Sequence, residues 1–270
     1  LFLRNPTPGF FMLRVRIPNG FSVSYQIRAL CFIAETFGNG IIDITTRQQV
    51  QLRQLKIENV PEVFDLLEEA GLTSTQTGLD NVRNIIGCPV AGLNPKERVN
   101  PYAQVKALTE HILNNSEFSN LPRKFNVAIS GCADDCVHAE TQDLALVPAV
   151  QEKGGNRVYG FNVLVGGKLG SGGYRIATSL DVFVSPEEVV EVCSAIILLY
   201  RDHGSREACN KNRLAFLIED WGEEKFRKAL EKRLGKSLSS GGVDLRENEK
   251  SEHIGIYRQK QPLMNYVGLK

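Results

Sequence analysis

The sequence has little of what marks the specialised protein classes. Lys and Arg number 32 against 31 Asp and Glu, a formal net charge of +1, so the strong basic excess of a nucleic-acid-binding domain is missing. Any basic site has to be local. No apolar run approaches the roughly 20 residues of a membrane span. With 42% hydrophobic and 23% charged residues, the composition is that of an ordinary globular chain rather than a membrane or disordered one. Secretory and transit signals are not readable, and the chain begins at Leu1 rather than Met; it is expected to be a piece of something longer. The six cysteines are Cys31, Cys88, Cys132, Cys136, Cys193 and Cys209. Without a secretory segment they read as reduced thiols or metal ligands ahead of disulfides, which points to a reducing compartment.

What is present is length enough for about two domains with cores of their own. The pattern predicts a strand over 10–17, in which Arg14 and Arg16 share a face because side chains alternate. A helix over 25–37 follows, then strands over 41–46 and 50–57 and a helix capped by Asn59 and stopped by Gly71. This is an α+β unit. Beyond it the pattern predicts a helix over 102–113 and strands over 125–130, 144–147 and 159–165. Ser185-Pro186-Glu187-Glu188 is a capping box that opens a helix ending at Gly204. Two amphipathic helices over 212–218 and 223–234 come next. Residues 239–252 read as a linker, and 266–270 as the start of another strand.

Three features could carry chemistry. Cys132-x-x-x-Cys136, with Cys88, supplies three thiols, one short of a closed Cys-ligated cluster, and neither a fourth Cys nor a well-spaced His completes a zinc set. Buried thiols are the alternative; His138 reads as structural, and Cys31 and Cys193 as core residues. Gly166-Gly167-Lys168-Leu169-Gly170-Ser171-Gly172-Gly173 follows a strand but is no Walker loop, because neither Ser nor Thr follows the Gly-Lys pair; it reads as a connector. The arginines are more telling. Arg14, Arg16, Arg47, Arg53, Arg83 and Arg123, with Lys124, lie in strands or beside turns and among apolar or uncharged neighbours. A buried guanidinium needs a partner, either an internal carboxylate or an anionic ligand.

Five ordered motifs then resemble the N-terminal half of ferredoxin-dependent nitrite and sulfite reductases. They are Phe11-Met12-Leu13-Arg14-Val15-Arg16-Ile17-Pro18-Asn19-Gly20, Asp43-Ile44-Thr45-Thr46-Arg47-Gln48, Asp80-Asn81-Val82-Arg83-Asn84, Leu121-Pro122-Arg123-Lys124-Phe125-Asn126 and Gly160-Phe161-Asn162-Val163-Leu164-Val165-Gly166-Gly167. The resemblance runs through almost the whole chain. It implies one half of a pseudo-twofold, two-half enzyme: a ferredoxin-like subdomain at 1–75, a larger α/β siroheme-binding subdomain at 76–238, and at 239–270 a linker with the first strand of a second half. It implies siroheme and a [4Fe-4S] cluster as cofactors, with the cluster cysteines in the second half. Cys88, Cys132 and Cys136 would be echoes of that motif, with Asn94 about where another cysteine would stand, so metal ligands are not expected in this half.

Position by position, the resemblance makes Arg14, Arg83 and Lys124 the active-site cations. It makes Arg47, Gln51, Arg53 and Arg123 contacts to the siroheme carboxylates or lining of its pocket, and makes Asn126, at a position usually Asn in nitrite and Lys in sulfite reductases, a mark of nitrite. The activity implied is six-electron reduction of nitrite to ammonia with reduced ferredoxin as donor, in the cytoplasm or a plastid stroma, cytoplasm preferred. An assimilatory sulfite reductase is the nearest alternative, and a non-catalytic tetrapyrrole-binding or scaffold half-protein is one of another class.

Overall fold

The computed structural model describes residues 2–4, 7–170, 172–208, 210–247 and 251–269; Asn5, Pro6, Ser171, Cys209 and Lys270, which entered the sequence reading, lie outside them. Two α+β layers and a hairpin make up the chain. In the first, strands β1 (Phe2–Arg4), β2 (Phe11–Val15), β3 (Ile42–Ile44) and β4 (Val50–Leu55) form an antiparallel sheet in the order β1-β2-β4-β3. Helices α1 (Ser24–Phe37) and α2 (Val60–Glu69) cover one face. Period-2 alternation decides which side chains go where. Leu13, Val15, Val50 and Leu52 join Leu30, Ile33, Val63 and Leu67 in one core, and Leu55 returns to the same side through a bulge at Gln54; the other face is left to Arg14 and its cross-strand neighbour Gln51. Asn59 precedes α2 but its side chain caps nothing, because it sits in helical conformation at the end of a 3₁₀ turn.

The second layer is a sheet ordered β5 (Ile86–Gly87), β6 (Val127–Ile129), β7 (Leu144–Lys153), β8 (Asn156–Val165), β9 (Thr178–Val184). The first three strands run parallel and the last three antiparallel. Helices α3 (Tyr102–Ile112), α4 (Val189–His203) and α5 (Leu214–Leu234) bury one face through Val127, Ile129, Leu144, Leu146, Phe161 and Val163. Ala128, Ala145, Val147 and Leu164 face the opposite way, under the turn carrying Val137 and Ala139. The capping box of Ser185 and Glu188 forms as the sequence implies. The two helices expected after residue 211 both form within α5, separated by a kink where Gly222 leaves helical conformation at φ +72°. Strands β7 and β8 extend well beyond their expected bounds as a ten-residue-paired hairpin; the apolar signal ends at mid-hairpin because the outer half is polar and exposed.

The stretch read as a linker is docked. Phe183 N–H donates to Ser239 O, Val243 and Asp244 pair with β7 as strand β10 (Val243–Asp244), and Glu247 N–H donates to Ala133 O. Backbone pairing, invisible in a Ser/Gly-rich and charged composition, holds it. The last described residues make a hairpin of β11 (Gly255–Arg258) and β12 (Asn265–Gly268).

Candidate active site

The open face of the first sheet meets the edge of the second where 73–87 crosses between them. Buried Arg16 organises this crossing: its guanidinium donates to the carbonyls of Gln76 (2.7 Å), Val82 (3.0 Å) and Arg83 (3.2 Å). Asn84, fully buried, donates Nδ2 to Ile17 O at 2.7 Å and Arg47 O at 3.0 Å, tying β2, the 45–49 turn and the crossing together. The sequence counts Arg16 among the arginines in need of a carboxylate or an anionic ligand; in the structure backbone carbonyls take that place. Its full set of carbonyl partners comes from residues about sixty positions away, which no local pattern reveals.

This scaffold brings six of the eight expected site residues to one cavity of about 270 Å³. Arg14, Arg47, Gln51, Arg83, Lys124 and Asn126 line it with Thr45, Thr46 and Gln49. An adjoining cavity of about 480 Å³ shares Thr46, Arg47, Lys124 and Asn126 and adds Gln142, His138 and Arg213. Neither lining contains a carboxylate. Arg14 and Arg83 both reach Thr77 O, at 3.4 and 3.1 Å, Arg83 also reaches Leu79 O at 2.8 Å, and Arg47 meets the Gln142 amide oxygen at 2.7 Å. With its amide oxygen turned to β2, Gln51 accepts from Arg14 Nε and Nη2 at 3.3 and 3.0 Å. All of these acceptors are neutral. Lys124 has no hydrogen-bond partner among the described residues.

Arg53 and Arg123 stand apart from the cavity lining. Arg53, on the same face of β4 as Gln51, is ion-paired with Asp43, and Arg123 lies 3.4 Å from Asp80. Both pairs are solvent-exposed, so they hold their guanidinium groups weakly. For these two the internal-carboxylate alternative is what the structure shows; for Arg14, Arg47 and Arg83 it is not.

Charge without counter-charge has a measurable mark. Burial, then the neighbouring Arg14, pulls Arg83 down to about 10; burial does the same to Arg47, against partial support from Asp143. Burial also lowers Arg14 and Lys124, and Lys124 is lowered further by Arg213 and Arg83. Asp143, the carboxylate that bears on Arg47 and Lys124, is already committed. Asp143 is clasped by Arg213 through Nε–Oδ1 at 2.8 Å and Nη2–Oδ2 at 2.6 Å, and it accepts the Asn126 N–H at 2.8 Å. Arg213 is held above its ordinary value by Asp143 against the opposing effect of burial. The pair anchors the strand that presents Lys124 and Asn126, and sequence spacing could not have joined positions 70 residues apart.

The fold and the cavity together define a two-layer α+β protein with a cationic seam whose lining holds no carboxylate. The chain belongs to the nitrite and sulphite reductase family: the model of the nitrite and sulphite reductase 4Fe-4S domain matches residues 78–238, and that of the nitrite/sulfite reductase ferredoxin-like half domain matches residues 4–70. It is 47% identical, over its whole length, to a ferredoxin–nitrite reductase of Leptolyngbya laminosa, of which it covers 53%, and 38% identical to an assimilatory ferredoxin-dependent nitrite reductase of Haloferax mediterranei, covering 98% of this chain and 49% of that one. Among solved structures, the Mycobacterium tuberculosis NirA protein superposes with a TM-score of 0.89 at 34% identity, over 96% of this chain and 46% of that one. The chain thus spans about half the length of the curated relatives it matches.

The family's cofactors are siroheme and a [4Fe-4S] cluster. The cavity fits the first: forked guanidinium donors with only neutral acceptors match a macrocycle rich in carboxylates. The cysteines do not fit the second. Cys88, Cys132 and Cys136 do lie together, with Cys136 Sγ 3.4 Å from Cys88 Sγ, but where a fourth thiolate would be needed Asn94 donates Nδ2 to Cys132 Sγ at 3.0 Å. Three thiols cannot close a four-thiolate cluster.

Proposed function

We propose that this chain is the first half of an assimilatory ferredoxin-dependent nitrite reductase, which reduces nitrite to ammonia by six electrons and takes those electrons from reduced ferredoxin. The observation that supports it most is the seam cavity, where Arg14, Arg47, Arg83 and Lys124 converge without a carboxylate in the lining. Arg47 and Gln51 would hold siroheme carboxylates, with Arg53 and Arg123 at the rim free to exchange their exposed aspartate partners for the same ligand. When bound, siroheme would supply the iron and the cluster would relay electrons from ferredoxin to it, the cluster's thiolates coming from a second half.

The remaining residues act on the anion. Arg14 and Arg83 draw nitrite into the seam, and their N–H groups stabilise charge that builds on its oxygens as they leave. Lys124 holds a proton at Nζ that its lowered pKa makes easier to give up, which suits delivery to a departing oxygen. Asn126 lines the cavity with a neutral amide, so the site carries one cation fewer than it would with Lys there, in keeping with the lower charge of nitrite relative to sulfite. The free cysteines fit a reducing compartment, the cytoplasm being preferred to a plastid stroma; no helix among the described residues is long and apolar enough to cross a membrane.

The test is Asn126→Lys in the whole enzyme, with nitrite and sulfite turnover measured side by side. The proposal expects nitrite turnover to fall by at least about tenfold while sulfite turnover rises. A parent enzyme already faster on sulfite would refute it.

A further inference from the structure

The thiols that cannot make a cluster have a fourth neighbour that sequence spacing hid. His253 lies more than a hundred residues beyond Cys136, yet one ligand atom each from Cys88, Cys136 and His253 lies within 4.8 Å of the other two. Cys132 belongs to the same buried cluster as Cys88, with Cys136 packed against it, and Cys88 and Cys132 are each 1% exposed. His253, 5% exposed, has Nδ1 engaged by the Tyr266 hydroxyl at 3.1 Å, while its Nε2 is buried without a hydrogen-bond partner. A buried, unpartnered imidazole nitrogen beside three thiols is costly unless something occupies the space between them.

We propose that Cys88, Cys132, Cys136 and His253 form a mononuclear site for a soft divalent cation of the zinc class, distinct from the siroheme seam. Three sulfurs and one imidazole nitrogen are a common tetrahedral structural set, with adjacent ligand atoms about 3.5–4 Å apart for bonds of about 2.3 Å to sulfur and 2.0–2.1 Å to nitrogen. For Cys88, Cys136 and His253 the observed 3.4 Å sulfur contact and the 4.8 Å outer limit bracket that spacing, and Cys132, in the same buried cluster, completes the set by turning its thiol toward them.

The surroundings are those of a metal-thiolate site. Asn94 Nδ2 donates to Cys132 Sγ, a bond that a thiolate accepts better than a thiol. Asp134 Oδ2 lies 3.9 Å from His253 Nε2 and 3.7 Å from Cys132 Sγ, and Lys96 Nζ, 3.0 Å from Asp134 Oδ1, faces the single negative charge that three thiolates leave on a dication. Outer partners of this kind orient ligands and tune the metal. The lid is the β11–β12 hairpin: Tyr266 packs on Cys88 and Cys132, and Lys260 N–H and Gln261 Nε2 donate to Leu93 O and Gly92 O, each at 2.7 Å. Metal binding would therefore fasten the hairpin to the second layer, with protons released from the thiols.

The experiment loads the full chain with zinc under reducing conditions, removes free metal, and measures zinc and iron per chain together with zinc K-edge absorption fine structure. The proposal expects about one zinc per chain in a three-sulfur, one-nitrogen shell. It expects more than a tenfold loss of retained zinc in Cys136→Ser and in His253→Ala, and no loss in Cys31→Ser, whose thiol is on α1. Cys136 is the least buried of the three thiols, and the scattering shell of the unsubstituted chain tests the ligand set whether or not a variant folds. Absence of zinc, a shell without nitrogen or with fewer sulfurs, retention in His253→Ala, iron in place of zinc, or a Cys88–Cys136 disulfide recovered by non-reducing mass spectrometry would each overturn it.

Discussion

Replacing Arg213 by Met gives the sharpest test of how the seam is supported. Arg213 and Asp143 are 1% and 0% exposed at their side chains, and their two bonds at 2.6 and 2.8 Å are a forked, parallel pair. Without the guanidinium, the Asp143 carboxylate keeps, among the described residues, only the hydrogen bond from Asn126 N–H at 2.8 Å and stays buried with its charge offset only by the unbonded Arg47 and Lys124. Breaking such a pair from one side costs about 3–5 kcal/mol. The double variant Asp143→Asn with Arg213→Met removes the charge as well and retains an amide oxygen for Asn126 N–H. It should recover at least about 1–2 kcal/mol of that loss, since what remains is mostly the forgone hydrogen bonds. Urea unfolding with a common slope measures both free energies. A loss below about 1 kcal/mol in the single variant, or a double variant no more stable than the single, would show that the pair does not anchor the strand beneath Lys124 and Asn126.

Three further outcomes are expected. A tricarboxylate such as citrate at low salt should raise the thermal midpoint of the chain, by about 2.7 kcal/mol of stability at a hundred times its dissociation constant; Arg47→Gln should cut the shift at least by half, and no shift in the parent would refute an anion site. Gly131→Ala should cost about 2 kcal/mol or more by calorimetry, because a Cβ there would run into the Val99 carbonyl and Pro101; Gly40→Ala, with φ +74° and open space, should cost less. Acid should weaken the fold: backbone donation from Gly241 and then Arg227 hold Asp181 below the usual range, and Arg201 and Arg233 do the same for Asp202 against burial. The unfolded chain therefore binds more protons as pH falls. That stability is complete above the ordinary carboxylate range of about 4 and is lost below it, and a urea midpoint unchanged between pH 6 and pH 3 would contradict the reasoning.

The elements that were legible are those whose apolar period is local. Leu13 and Val15 alternate with Arg14 on β2, and Val189, Cys193, Ile196, Ile197 and Tyr200 mark α4 behind its capping box. Strand β9 carries the same alternation, Leu180 and Val182 buried between exposed Ser179 and Asp181, but it is short and locally irregular where Asp181 takes φ +52°, and no strand is predicted there from sequence. The docking of 239–247 was equally silent, being made by backbone groups whose partners lie on other elements. At the site, Arg14, Arg83, Lys124 and Asn126 were named through the resemblance, and the geometry brings them together. Arg16, Asp143, Arg213 and His253 act through partners distant in sequence, which composition and spacing do not encode.

The two sites share one construction principle, and it explains why both escape a carboxylate-counting view of the chain. At the seam, Arg14, Arg47 and Arg83 donate to carbonyls and amides but bond no carboxylate, and Arg83 Nε is buried without a partner. At the thiol site, His253 and the cysteines sit within reach of one another while an imidazole nitrogen stays unpartnered. In each case the scaffold fixes the groups first: Arg16 and Asn84 pin the crossing, while glycines 87 and 131 let the backbones before Cys88 and Cys132 pass where a side chain would collide with Asn19 or Val99. Groups held at a free-energy cost in the absence of ligand bind it without further ordering, so the cost reappears as affinity. The near-zero net charge is the sum over a surface where ion pairs balance and a seam where they do not, and the seam is where an anion gains most.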